Sequence, residues 1–301
     1  MGRRTNMSVA TGGEGETNPK LPLGTTISLA YSSYFQNFVD ALRISWLYLL
    51  LVVPLIGAAS WQQMSWLTTA ATSLKPGISL QAMSARPVEL IVLQSVSSLA
   101  TLFAGVSIAV AWHRRLLLNE RPGFSGSNIG TPSLWRYIGV GIVICLIVAL
   151  PALAIMAPMY LMLPHGVANT PNVAVFVVMP FLYIFAFVML LRLSLLLPAR
   201  AVDDTGLTFK EVWNRTRGNT WRLYWGVLAC FAPPLLLVQV GALIVGGFPD
   251  PAKLANGHMV NQWVIVSVVM TCYYLLVTPI WVGFLSYAYG FLVTPAPREV
   301  R

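Results

Sequence analysis

Arginine is the residue type in this sequence that is best suited to specific recognition. Its planar guanidinium stays charged at physiological pH and binds phosphate or carboxylate oxygens through paired N–H groups. Two stretches, 114–136 and 192–222, each hold a cluster of arginines. The clusters favour a binding surface for lipid headgroups or other phosphates, and its candidate residues are Arg114, Arg115, Arg121, Arg192, Arg217 and Arg222. The alternative is that these arginines only fix the topology and extend their side chains to water.

Arg192 differs from the other arginines because the apolar sequence continues past it, through residues 193–198. A charged group at that depth in a membrane needs a partner. The candidates are the carboxylates of Glu120, Asp203 and Asp204, or a lipid phosphate.

Other chemistry has weaker support. Thioether and imidazole groups suit Cu(I), and they recur in one segment as Met156, Met159, Met162 and His165. Methionine is also an ordinary apolar core residue. Because the sequence contains no recognisable catalytic triad, phosphate loop or carboxylate pair, we expect neither enzymatic activity nor a metal or cofactor.

One apolar stretch carries small residues at four-residue spacing, namely Ser97, Thr101, Gly105 and Ala109. Such a line allows a second helix to approach closely, so it predicts a helix-packing seam. The alternative is the wall of a hydrophilic cavity or pore.

The elements that position these residues follow from composition. Of 301 residues, 10% are charged and 56% are hydrophobic, whereas soluble domains carry about 25% charged residues. This excludes an ordinary soluble globule and favours an all-α polytopic membrane protein, because a spanning helix needs about 20 apolar residues. The long charge-free runs predict six transmembrane helices near 44–60, 88–112, 137–163, 173–191, 223–247 and 263–291.

The basic residues predict the orientation. Sixteen of the 19 Lys and Arg residues fall in the termini and loops that share one side of a six-helix arrangement. The positive-inside rule then gives cytoplasmic N- and C-termini. We expect a disordered cytoplasmic tail over 1–22, one membrane domain over 23–292 and a cytoplasmic C-terminal tail over 293–301. Nucleic acid is not an expected partner, because the positive charge forms no compact basic domain.

Two segments, 26–43 and 208–222, predict amphipathic helices on the inner membrane surface before the first and fifth spans. They also align with each other at an offset of 182 residues. The matched pairs are Gly24 with Gly206, Thr26 with Thr208, Ile27 with Phe209, Tyr31 with Trp213, and Asn37 with Asn219. The alignment favours one structural unit, a surface helix followed by a span, that is used twice.

Three loop motifs carry a family resemblance. They read WHRRLLLNERP at 112–122, RLSLLLPARAVD at 192–203 and WNRTRGNTWRL at 213–223. Together they resemble a broad group of bacterial inner-membrane proteins of alphaproteobacterial type, which is similar to the membrane domain of some glycerophosphoryl diester phosphodiesterases. The resemblance covers about residues 24–292 and implies a six-helix module that contacts phospholipids or a protein partner. The catalytic barrel of those enzymes needs about 250 further residues, so we do not expect their activity here.

Three functions therefore remain open. The first is a non-catalytic inner-membrane module that engages anionic lipid, a protein partner or a second copy of itself through its arginine-rich loops. The second is a passive carrier or channel for a neutral or amphipathic solute, which the hydroxyl-bearing seam and the prolines in the spans suggest. The third is a membrane-embedded lipid enzyme. Ion-coupled transport is disfavoured, because the interiors of the spans lack charged side chains.

Overall fold

A computed structural model of the chain describes residues 19–73, 86–122, 130–162, 173–244 and 258–293. Within these ranges the regular structure is entirely helical. The helices are α1 (Leu23–Gln36), α2 (Phe38–Ser73), α3 (Val88–Leu117), α4 (Pro132–Met162), α5 (Val173–Leu193), α6 (Leu196–Ala201), α7 (Phe209–Arg215), α8 (Thr220–Ile244) and α9 (His258–Leu292).

Six stretches of these helices are long and apolar enough to cross a membrane. They are Phe38–Ala70, Val88–Leu117, Pro132–Ile155, Met179–Ala201, Thr220–Gly241 and Val260–Leu292. Each exceeds the roughly 20 residues that a bilayer requires. The predicted fold class, an all-α polytopic membrane protein with six spans, is confirmed.

The first predicted surface helix differs from the structure. Residues 26–43 belong to two elements, because α1 ends at Gln36 and α2 begins at Phe38. Asn37 lies between them, and its Nδ2 donates a 2.8 Å hydrogen bond to the carbonyl of Ser33. Helical periodicity alone could not locate this break, since apolar residues continue at helical spacing across it.

The second predicted surface helix, over 208–222, is shorter than expected. Helix α7 starts after Thr208, whose side chain accepts a 3.2 Å hydrogen bond from the backbone N–H of Glu211. It ends at Arg215, and a turn over 216–219 leads into α8. Asn37 and Asn219, which align in the sequence, both lie between a short helix and a span.

Helix α9 is the centre of the bundle and packs against α1, α2, α3 and α8. Its second half is almost completely enclosed, with buried Leu275, Ile280, Val282, Phe284, Leu285 and Ala288. By contrast, α4 and α5 lie at the side of the bundle and expose large apolar residues such as Leu146 and Phe181. Exposed leucine and phenylalanine are stable against lipid tails, which are equally apolar.

Helix α1 is held to α8 by a hydrogen bond that a proline makes necessary. Pro233 has no N–H group, so the carbonyl of Ala229, four residues earlier, lacks its helical partner. The Tyr31 hydroxyl of α1 donates to that carbonyl at 2.9 Å. Burial raises the pKa of Tyr31 to about 12, so the hydroxyl remains a donor at physiological pH.

The segments 19–43, 112–122, 130–137, 192–222 and 286–293 form one end of the bundle, which we call the arginine end. Leu21 is fully buried there, and its N–H donates to Asn219 Oδ1 at 2.8 Å. Asn219 Nδ2 donates to the Pro19 carbonyl at 2.9 Å, and Arg222 donates to the Leu21 carbonyl at 2.7 Å. Residues 19–22 are therefore part of the folded domain and not of the predicted tail; residues 1–18 and 294–301 lie outside the described ranges.

Gly226 of α8 allows Phe284 of α9 to pack directly against the α8 backbone. A Cβ atom at this position would overlap the ring of Phe284, which is fully buried. We expect Gly226→Ala to lower the unfolding temperature in detergent, because overpacking a core costs about 1–3 kcal/mol. Gly241→Ala on the same helix is the control, since its Cβ would have no neighbour within 4 Å. Equal unfolding temperatures for the two variants would contradict this packing.

Candidate functional site

The last turn of α3 connects the segments of the arginine end. Successive helical residues point about 100° apart, so His113, Arg114 and Arg115 reach three different parts of the protein. His113 Nδ1 lies 2.7 Å from Ser286 Oγ of α9. Arg114 faces the end of α6, and Arg115 faces the junction of α1 and α2. Both arginines also interact favourably with the carbonyl end of the α3 dipole.

Arg114 is bound by two carboxylates and one backbone carbonyl. Its Nε and Nη2 each donate a 2.8 Å hydrogen bond to Glu120, and its Nη1 donates to Asp203 Oδ2 and the Ala201 carbonyl at 2.9 Å. Arg136 donates to the other oxygen of Asp203 at 3.0 Å. Two cations and two anions thus neutralise one another at the surface of the bundle.

Arg115 uses each of its three nitrogens within the protein. Nε donates to Asp40 at 2.8 Å, Nη1 to Asn119 at 2.7 Å and Nη2 to Asn37 at 2.8 Å. The acceptors come from α2, from the residues after α3 and from the junction between α1 and α2. Arg115 therefore joins these three elements.

Two of the acceptors for these arginines have a left-handed backbone. Asn119 follows α3 with φ 54°, and Asp203 follows α6 with φ 62°. A left-handed residue commonly ends a helix, and Asn and Asp tolerate this conformation better than other non-glycine residues. Each residue therefore ends a helix and presents a side chain to an arginine. An Asn or Asp just after an apolar helix is the sequence signal that could have predicted this pair.

Four of the six arginines predicted as a binding surface bind acceptors within the protein, namely Arg114, Arg115, Arg192 and Arg222. Arg121 and Arg217 are exposed. Arg192 differs from the others because the apolar sequence continues past it, through residues 193–198.

Arg192 has only neutral partners among the described residues. Its Nε donates to Thr216 Oγ1 at 3.1 Å, its Nη2 donates to the Trp213 carbonyl, and its Cζ lies 3.4 Å above the centre of a Trp213 ring. The positive charge of Arg217 also acts on this guanidinium.

None of the three carboxylates proposed for Arg192 is its hydrogen-bond partner. Glu120 binds Arg114, Asp203 binds Arg114 and Arg136, and Asp204 accepts a 2.7 Å hydrogen bond from the Tyr289 hydroxyl. The fourth candidate, a lipid phosphate, is the one that remains.

An apolar groove of about 350 Å³ lies between α5 and α8 on the lipid-facing side. Its walls include aromatic rings in edge-to-face contact, with 5.0 Å between the ring centres of Phe187 and Tyr224. At the arginine end the groove begins beside Leu191 and Thr220, the neighbours in sequence of Arg192 and of the 216–219 turn. The residues that line it are Ile184, Phe187, Val188, Leu191, Thr220, Trp221 and Tyr224.

Of the predicted seam residues, Gly105 faces α9. Ser97, Gly105 and Ala109 are buried, and a Cβ at Gly105 would lie 3.5 Å from the Tyr274 ring of α9. The Ser97 hydroxyl donates to the Gln94 carbonyl at 3.0 Å, and the Thr101 hydroxyl donates to the Ser97 carbonyl at 2.8 Å. Both hydroxyls therefore bind the backbone of their own helix.

The His113–Ser286 pair has the distance of a nucleophile and its base, but both side chains are fully buried. A substrate cannot reach Ser286 in this arrangement.

The described residues contain no group of three His, Cys, Asp or Glu side chains that could hold a metal ion. The candidate copper ligands Met156, Met159, Met162 and His165 lie outside the described side chains.

Comparison with known proteins gives no match to a family model, to a curated protein or to a solved structure. The resemblance to the membrane domain of the phosphodiesterases therefore stays a prediction. The function has to be inferred from the arginine end itself.

Arg114 provides a direct test of this arrangement. We expect Arg114→Gln to lower the unfolding free energy by about 1–3 kcal/mol, because a partly buried charge-assisted cluster loses its cation. Arg114→Lys should be destabilised as well, since one ammonium cannot bind Glu120, Asp203 and Ala201 in the geometry of a guanidinium. Arg121→Gln is the matched control at an exposed position. The cluster would have no role in stability if Arg114→Gln and Arg121→Gln unfolded at the same temperature.

Proposed function

We propose that this protein is a non-catalytic membrane module that engages anionic phospholipids through the exposed basic residues of its arginine end. The proposed location is the inner membrane of a bacterium, with both termini in the cytoplasm. The excess of Lys and Arg on one side of the six spans supports this orientation.

One observation carries the proposal. Every acidic side chain described at the arginine end already binds another group of the protein, and these residues are Asp40, Glu120, Asp203, Asp204 and Glu211. Basic residues nevertheless remain at the surface, including Arg43, Arg121 and Lys210. The net positive charge is thus directed outward, where an anionic leaflet can neutralise it.

Exposed aromatic residues at the same end support contact with the membrane interface. Trp221 and Trp225 near the start of α8 are 71% and 53% exposed. Tryptophan prefers the level of the lipid headgroups, where its ring contacts lipid and its N–H contacts water.

Two observations favour this proposal over the alternatives. The hydroxyls of Ser97 and Thr101 donate their hydrogens to backbone carbonyls of α3, so neither is available to a solute as a donor. The buried His113–Ser286 pair gives a lipid substrate no access. A passive carrier and a lipid enzyme are the less favoured alternatives.

The proposal predicts a measurable preference for anionic lipid. In bilayers that mix phosphatidylglycerol with phosphatidylcholine, brominated phosphatidylglycerol should quench the fluorescence of the exposed tryptophans more strongly than brominated phosphatidylcholine. The triple variant Arg43→Gln/Arg121→Gln/Lys210→Gln should reduce this preference at least fivefold, because even one basic residue near an anionic surface contributes about 1 kcal/mol, a factor of about five. High salt should reduce the preference of the wild-type protein for phosphatidylglycerol, because salt screens interactions between exposed charges.

Arg86→Gln is the control, because Arg86 is exposed at the opposite end of α3. This variant should retain the lipid preference of the wild-type protein. Equal quenching by both brominated lipids in the wild-type protein would contradict the proposal.

A further inference from the structure

We infer that the groove between α5 and α8, together with Arg192 and Arg217, binds one molecule of an anionic phospholipid. The phosphate lies at the two arginines, and one acyl chain follows the groove towards the middle of the membrane. This inference rests on the proposed function, but it goes further by assigning a single saturable site to a defined place in the bundle.

The first step in the argument is the charge of Arg192. A guanidinium has five N–H donors, and two hydrogen bonds are formed, to Thr216 and to the Trp213 carbonyl. Neutral partners orient the group and leave its charge without a counter-ion. The nearby charge of Arg217, which is exposed, adds repulsion of the same sign.

An anion beside both arginines removes this repulsion. The Trp213 ring lies against one face of the Arg192 guanidinium, at 3.4 Å, and holds the group in one plane. A planar fork in a fixed orientation is suited to a phosphate with two oxygens in that plane. Glu120, Asp203 and Asp204 bind other groups, so none of these three carboxylates supplies the anion to Arg192.

The shape and position of the groove identify the anion as a lipid. The groove begins beside Leu191 and Thr220 and extends along α5 to Ile184, a distance of about 10 Å at 1.5 Å per residue. Its lining is almost entirely apolar and faces the lipid. An acyl chain in the groove exchanges contacts with other lipid chains for contacts with equally apolar side chains. The groove therefore stabilises the bound lipid by van der Waals packing and not by the hydrophobic effect. Selectivity must therefore come from the two arginines.

The same charges define the class of headgroup. Glu211 is the acidic residue closest in sequence to Arg217. Its carboxylate binds Arg215 at 2.7 Å and is therefore not available to the ammonium group of a zwitterionic lipid. A headgroup with a net negative charge, as in phosphatidylglycerol, is therefore preferred to the zwitterionic phosphatidylethanolamine.

Native mass spectrometry of the full-length, delipidated protein tests this assignment. Titration with phosphatidylglycerol should give one saturable bound lipid per chain, with phosphatidylethanolamine binding about tenfold more weakly (about 1.4 kcal/mol), because its ammonium group offsets the charge of the phosphate and is repelled by the two arginines. Arg217→Gln and Val188→Phe, which fills the groove, should each weaken the binding of phosphatidylglycerol by a similar factor. The controls are Arg86→Gln, an exposed arginine at the opposite end of α3, and Leu237→Phe, an exposed position elsewhere on α8.

Three results would overturn the inference: no saturable site, equal affinity for the two lipids, or unchanged affinity in both Arg217→Gln and Val188→Phe. A dimer whose formation depends on Val188 would assign the groove to a second copy of the chain and also overturn it. If the bilayer preference for phosphatidylglycerol persists while the saturable site is absent, the specific site is wrong and the proposed function stands. If that preference is absent as well, both are wrong.

Discussion

The permanent charge of arginine is the constraint on which the arginine end depends. A lysine or histidine at a membrane interface can lose its proton, but a guanidinium cannot, so each buried arginine requires acceptors. Arg114 and Arg115 follow each other at the end of α3 and point in different directions. Their acceptors are Asp203, beyond the end of α6, and Asp40 in α2. Satisfying two neighbouring charges therefore fixes the relative positions of three helices.

The same requirement separates the arginines by role. Arg114 and Arg115 are surrounded by acceptors that come from the protein, and they use the acidic side chains of this end of the bundle. Basic residues further out, such as Arg121 and Lys210, are exposed at the surface. Arg192 is intermediate, because it is held by Thr216 and Trp213 but not neutralised by them. In the proposed function an anionic membrane supplies the missing negative charge without any further protein element, which connects the packing of the helices to that proposal.

The spans could be predicted from the sequence because a bilayer excludes charge, so that each segment crossing it is a long run without charged residues. The partners of the arginines could not be predicted, since Arg115 and Asp40 are 75 residues apart and meet only when α2 and α3 pack. The break at Asn37 was hidden by apolar periodicity that continues from α1 into α2. The groove was hidden for a third reason: α5 and α8 are not consecutive in the chain, so no local pattern records their contact.

The central claim is that some arginines hold the protein together while others bind lipid. A high-resolution cryo-electron microscopy map of the protein in phosphatidylglycerol nanodiscs tests it most directly. The account predicts phosphate density beside Arg192 and Arg217, with chain density in the groove, and Arg114 and Arg115 still bound to Asp203 and Asp40. Phosphate density bound to Arg114 or Arg115 in place of those carboxylates would contradict it.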